Sequence, residues 1–325
     1  MTRPGLKPGC WNGYLRASHA PKHERTHCVA DPENAANMHD HSKSVEHAKM
    51  AEIPSWIVNY PPAFAHRLPG SRDVRNNPDE MNSFLDYYNA TIHGPKVGVD
   101  GENVDVVEHF FWGLKDGVSI ELGALDGSVR EGSMTYELHG KLNWNRIIIE
   151  ADPIHRENMK IRSPDAYAIN AAICKKDQLV HYSHRGYVGG ILELMSDEFM
   201  KSFAPAVYQA GTPPGNLSSI QDWTKVKQGV TEIRCLPISK ILSYAHIHHV
   251  NYFLLDVEGA ELEVLESFNF DKVTVDVLSV ETEAGFRPIG YGDRVIEFMK
   301  QKGYEVFAEI GRNHCKFRSC CIPRL

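Results

Sequence analysis

The sequence predicts an α/β protein: a doubly wound, mostly parallel Rossmann-like sheet with helices on both faces. Three observations carry this expectation. From residue 117 onward, short apolar runs bounded by Gly, Asp and Pro alternate with helical patterns. These runs are apolar throughout, which suits strands buried on both faces. Two of them end in an acid, Glu150 and Asp256, that is followed within three residues by proline or glycine, the place where open α/β sheets put ligands.

The elements follow in order. Strands are expected at Val118–Leu122, Arg146–Glu150, Ala166–Ala172, Asn251–Asp256, Val275–Glu281 and Tyr304–Ala308, with Cys315–Arg318 as a candidate seventh. Helices are expected over about 131–140, 153–162, 237–246, 259–268 and 292–302. Residues 175–235 break the rhythm with Gly186, Gly189, Gly190 and the run Gly211–Gly215, and a long insertion of this kind usually carries specificity or a lid.

Ahead of this domain, placed at 116–325, the texture changes. Residues 1–55 hold Pro4, Pro8, Pro21 and Pro32 and six histidines from His19 to His47, with no sustained apolar period. They are expected to be a disordered tail, dispensable for folding. Residues 56–115 form an irregular extension: Trp56, Ile57, Tyr60 and Phe64 are interrupted by prolines. The spacings Met81, Phe84, Leu85, Tyr88 and Val104, Val107, Phe110, Phe111 then predict two short helices over one edge of a sheet.

Composition excludes several classes. Apolar residues make up 42% of 325 and the net charge is −7, with no dense basic stripe, so no nucleic-acid partner is expected. No run reaches the ~18 apolar residues of a membrane span, and the N-terminus lacks the apolar core of a secretory signal. Seven cysteines without a CxxC pair read as reduced thiols, which favours a cytoplasmic setting. Asn89-Ala-Thr and Asn216-Leu-Ser fit the glycosylation triplet, a pattern common by chance.

Chemistry concentrates in four segments. In VSIELGALDG, a buried strand runs into a turn with Gly123 and Gly127, and glycines let the backbone bend and a ligand approach. Neither GxGxxG nor a phosphate-loop Lys is present, so a nicotinamide dehydrogenase is disfavoured. Glu121 at the strand end repels phosphates and welcomes a cation, and S-adenosylmethionine carries two cationic groups. In RIIIEADP, Glu150 lies about 20 residues beyond the turn, where an acid bonds ribose hydroxyls. Asn170 and Ala171 end the third strand, small enough to admit a flat adenine. In NYFLLDVEGAELEVL, Asp256 ends an apolar strand. Alternation is expected to bring Glu258 to its side of the chain, as a proton acceptor for a substrate hydroxyl. The competing expectation is that Glu258 caps the following helix.

ELGALDG, IIIEADP, NAAIC, FLLDVEGAELEVL and LSVETE occur in an order that resembles the FkbM-type methyltransferases, over roughly residues 115–310. The resemblance implies S-adenosylmethionine-dependent methylation, usually at an oxygen of a sugar or other small hydroxylated molecule. It assigns Glu121, Gly123 and Gly127 to the cofactor turn and Glu150 to the ribose. It also matches Asp256, Glu258, Gly259 and Glu261 to the family's DVEGAE. Two positions depart from the family. Leu254 stands where Lys is frequent, and Leu125-Asp126 stands where Asn often follows Gly-Ala. Asp256 and Glu258 are thus the expected catalytic acids. Glu281 and Glu283 are further candidates, His155 and His184 lesser ones. The expected partner is a small-molecule or glycan acceptor, and no metal site is assigned, although Asp256 and Glu281 could share a hard cation. The alternative is a non-catalytic interaction protein that keeps the fold.

Overall fold

Apolar strands lie side by side in one main sheet, with helices distributed to its two faces. The computed structural model describes residues 53–65, 68, 70–93, 102–129, 132–211, 223, 226, 228–282, 288–310 and 318–323, which lie within one compact unit, Ile53–Arg324. The expected tail falls outside the described residues up to Glu52, while Trp56, one residue past its expected boundary, is buried in the core. The strands are β1 (Ile57–Asn59), β2 (Arg72–Asp73), β3 (Leu114–Lys115), β4 (Val118–Leu122), β5 (Asn145–Glu150), β6 (Tyr167–Asn170) and β7 (Ala172–Ile173). They continue with β8 (Gln178–Ser183), β9 (Gly190–Ile191), β10 (Val230–Leu236), β11 (His249–Leu255), β12 (Thr274–Glu281), β13 (Tyr304–Ile310) and β14 (Arg318–Pro323).

The main sheet has the order β1-β6-β5-β4-β11-β12-β14-β13. Strands β6, β5, β4, β11 and β12 run parallel, while β1 and β14 are antiparallel to their neighbours. The winding reverses between β4 and β11, so the ligand crevice of a doubly wound sheet opens at their carboxyl ends. Alternation along β5 shows the two layers. Ile147 and Ile149 join the core formed with α7 (Ile238–Tyr244), α8 (Glu261–Ser267) and α9 (Tyr291–Gln301), whereas Ile148 faces Met159 of α4 (Arg156–Arg162). On that second face, Tyr252, Leu254 and Val277 meet α1 (Pro78–Tyr87), α2 (Glu102–His109) and α3 (Tyr136–His139) through Phe84, Val106, Val107 and Leu138. The side chain of Asn77 accepts from the Glu80 N–H and Pro78 opens the helix, which fixes the start of α1.

Several expectations need correction. The two early helices cover the face of the sheet rather than an edge, because their apolar spacings match Tyr252, Leu254 and Val277 of the two central strands. The proline-interrupted stretch supplies β1 at the edge, where missing N–H donors are tolerated. The expected third strand divides at Ala171, with β6 staying in the main sheet and β7 joining a second sheet of order β7-β10-β8-β9. The helix expected over 131–140 shortens to Tyr136–His139. The seventh strand appears as β14 at 318–323; residues 311–317 lie outside the described residues.

The thiol reading is also overturned. Cys174 and Cys235 form a buried disulfide, with Cα atoms 5.5 Å apart across a separation of 61 residues. It ties the ends of the insertion together, for Cys174 follows β7 and Cys235 lies in β10. Two cysteines so far apart in the chain carry no local pairing signal, so only the fold reveals the bond.

Candidate functional site

A cavity of about 260 Å³ lies at the carboxyl ends of β4, β5 and β11, and the inserted sheet walls its other side. Glu121, Gly123, Glu150, Ala171, Asp256 and Glu258 line it. Gly127 and Asn170 do not appear in its lining.

The cofactor turn follows from close strand spacing. Gly123 has φ +78°, and a Cβ there would stand 2.0 Å from the Asp256 carbonyl oxygen, so no other residue lets β4 leave the sheet beside β11. A Cβ on Gly127 would strike Ile148 and Ser163, which makes this glycine a packing requirement behind the turn. Leu125 has φ +51°. A left-handed backbone suits Asn and costs Leu on the order of 1 kcal/mol.

Glu121 is more committed than expected. Its carboxylate accepts from the N–H groups of Met134 (2.9 Å) and Thr135 (3.1 Å) and from the hydroxyls of Ser133 (2.7 Å) and Thr135 (2.5 Å). Those bonds pull 133–135 out of the helix expected there. Beneath it lies Arg146, fully buried, which donates to the Gly127 carbonyl at 2.6 Å and to the Ser133 hydroxyl at 3.1 Å. Burial lowers the guanidinium's proton affinity, opposed by the charges of Glu121 and Asp165. Sequence reasoning misses this role of Arg146, since an Arg opening a strand looks like a surface residue.

Glu150 is 3% exposed. It accepts from Leu125 N–H at 2.8 Å and from Asp152 N–H at 2.7 Å. An ionised carboxylate has about four acceptor sites, so it keeps capacity for hydroxyl donors. Burial pushes its proton affinity up to about 7, against those two backbone bonds, and the charge of Asp152 adds to the rise. Asn170 donates to the carbonyls of Glu150 (2.9 Å) and Asp152 (3.1 Å), and so clamps the strand end that presents the acid.

The raised Glu150 gives a pH-dependent expectation. The folded value, about 7, exceeds the ordinary 4.5, so the folded chain holds the proton more tightly than the unfolded chain. The stabilising contribution is full below about pH 4.5 and is lost as pH rises through about 7, by roughly 3 kcal/mol. Glu150→Gln should therefore gain about that much on the ligand-free wild type between pH 5 and pH 8. Melting curves at both pH values check this, and parallel pH profiles would refute it.

Asp256, Glu258 and Glu281 converge, with one carboxylate oxygen from each within 4.8 Å of the others. The expected strand alternation does not bring Asp256 and Glu258 together, because β11 stops at Leu255 and the turn does so instead. Glu258 has φ +52° and Gly259 φ +113°. A non-glycine residue held left-handed at a cavity wall is the kind of strain that functional sites retain. Glu258 does not cap α8. The Leu262 N–H at its start donates to the Tyr291 hydroxyl (3.2 Å), while Glu261 folds back over the turn and accepts from the N–H groups of Gly259 (3.2 Å) and Val257 (3.4 Å) and from the Tyr291 hydroxyl (2.7 Å). The trio of Asp256, Glu258 and Glu281 could also take a hard divalent cation.

Other candidates lie elsewhere. His184 bridges the Asp152 carboxylate at 2.8 Å and the Thr231 hydroxyl at 2.6 Å, linking the main domain to the inserted sheet. His155 sits in the short turn Pro153–His155. Glu283 lies outside the described residues. Leu254 packs into the core with Tyr252 and Val277, so the departure from Lys falls in an apolar cluster and not in the cavity lining. The insertion's contribution, Tyr182 and Ile191 among others, leaves no local trace in the sequence.

Residues 121–306, more than half of the chain, match the Methyltransferase FkbM domain family. The chain belongs to that family. The methyltransferase has no match among curated proteins. Among solved structures it is similar to a precorrin-6y C5,15-methyltransferase from Geobacter metallireducens GS-15, at 10% identity, 69% coverage of this chain, 86% of that chain and a TM-score of 0.33. Aeropyrum pernix fibrillarin, in complex with natively bound S-adenosyl-L-methionine, is similar at 9% identity, with coverages of 64% and 67% and a TM-score of 0.36. A TehB-like SAM-dependent methyltransferase from Corynebacterium glutamicum ATCC 13032 is similar at 12% identity, with coverages of 77% and 100% and a TM-score of 0.32. The cofactor of the methyltransferase is S-adenosylmethionine. Its residues fit that group: a glycine cradle that any Cβ would fill, and a buried acid with acceptor capacity to spare. No helix among the described residues is long and apolar enough to cross a membrane.

Proposed function

We propose that the methyltransferase transfers a methyl group to a hydroxyl oxygen of a sugar or other small acceptor. The observation that carries this reading is that Asp256 and Glu258 both line the cavity next to the Gly123 turn, with a carboxylate oxygen of the buried Glu281 within 4.8 Å of theirs. Methyl transfer needs alignment first and a proton acceptor second. When bound, the cofactor supplies an electrophilic methyl group on a sulfonium. Glu150 holds the ribose, Gly123 and Ala171 leave room for the ligand, and Glu121 fixes the 133–135 wall. Gly127 and Asn170 act at one remove: the first packs the turn, the second clamps the end of β5. Asp256 and Glu258 face the acceptor, orient its hydroxyl and take the proton as the oxygen–carbon bond forms.

The disulfide supports an oxidising compartment over the cytoplasm for this protein. The direct test is a transfer assay with methyl-labelled cofactor against fractionated hydroxylated metabolites and glycans. Label in an alkali-stable ether supports the reading. Label on nitrogen or carbon, or in no fraction at all, counts against it.

A further inference from the structure

The inserted sheet reaches the cavity through the β8–β9 hairpin, which brings two phenols to it, the exposed Tyr187 and the buried Tyr182. Tyr182 is 5% exposed. It pairs with Ile191 across the hairpin and packs among Ala172, Ile233 and the bridged Cys174 and Cys235. The pairing and the cluster hold the ring in place at the cavity wall. A Cβ on Gly189 would stand 2.8 Å from that hydroxyl, which shows how closely the hairpin tip closes over it. The hydroxyl meets the cavity and makes no hydrogen bond to a described residue. A phenol fixed at a cavity wall can be met only by water or by whatever ligand enters the cavity.

The surroundings say what that partner is. Three negative charges bear on Tyr182, with Glu150 the strongest, then Asp152 and Glu258. The two oxygens of Glu150 already accept from Leu125 and Asp152. An ionised carboxylate only accepts, a phenol can donate, and each hydroxyl of a ribose does both.

We propose that Tyr182 is a further cofactor-contacting residue, its hydroxyl donating to a ribose oxygen while the ribose donates to Glu150. This rests on the placement of the ribose at Glu150 given above. It makes cofactor affinity a property of the insertion as well as of the parallel sheet, because the donor comes from β8.

The test is calorimetric titration of S-adenosylhomocysteine, and of its 2′-deoxy and 3′-deoxy analogues, into wild type, Tyr182→Phe and Glu150→Gln. With the intact ligand, Tyr182→Phe should bind roughly tenfold more weakly, the worth of one hydrogen bond. With one of the two deoxy analogues, wild type and Tyr182→Phe should bind equally. The ligand-free Tm of Tyr182→Phe should hold, since the hydroxyl bonds no described residue. Equal affinities for the intact ligand would overturn the proposal. So would an unchanged penalty on both analogues, or a drop in ligand-free Tm. If Glu150→Gln weakens binding while Tyr182→Phe does not, this inference alone fails. If neither variant weakens it, the ribose placement fails as well.

Discussion

Replacing Asp256 by Asn or Glu258 by Gln should slow methyl transfer by about 10²–10⁴ in at least one of the two variants, with little change in cofactor affinity. Each substitution keeps size and most hydrogen bonding and removes the charge. The expectation rests on three features: the convergence with Glu281, the left-handed backbone at Glu258, and the place of Asp256 and Glu258 in the cavity lining. Single-turnover rates measured beside a cofactor titration separate chemistry from binding. Wild-type rates in both variants would make these acids structural and send the proton elsewhere.

A second large effect is expected from the disulfide. Changing both Cys174 and Cys235 to Ser should cost about 4 kcal/mol, because the bond closes a loop of 61 residues in the unfolded chain. For a domain of this size that corresponds to a fall in Tm on the order of 10 °C. Function should follow stability, since the bond lies in the cluster that holds Tyr182 and that Ala151 and Val257 pack against. Thermal melts of the double variant and of reduced wild type should agree. A variant that melts with the wild type, together with two reactive thiols at these positions in native protein, would show that the bond does not form.

The fold is legible where physics is local. Val118–Leu122 is apolar along most of its length because both faces are covered, and it matches β4 residue for residue. Gly123 can be read because only a glycine turns that tightly against another strand. Glu150 can be read as an acid of the cavity wall, because it ends its strand on the side where the sheet opens. What stays hidden depends on distant pairing. Nothing near Trp56 announces that its carbonyl accepts from Asn170 N–H at the sheet edge. Nothing in 175–235 shows that β8 folds back over the cofactor turn. The separation of Cys174 and Cys235 hides their bond for the same reason. Glu121 is legible as a residue of the cavity wall, but its commitment to residues 133–135 is not, because a strand-end acid looks the same whether it holds a ligand or a loop.

The ends of β4, β5 and β11 are expected to hold S-adenosylmethionine with its ribose on Glu150. Calorimetric titration of S-adenosylmethionine into wild type and Glu150→Ala tests it most directly. The account predicts one site per chain in the wild type, weakened by about 2–4 kcal/mol in the variant as charge-assisted bonds to the ribose are lost. Equal affinity in the two proteins, or no binding to the wild type, would contradict it.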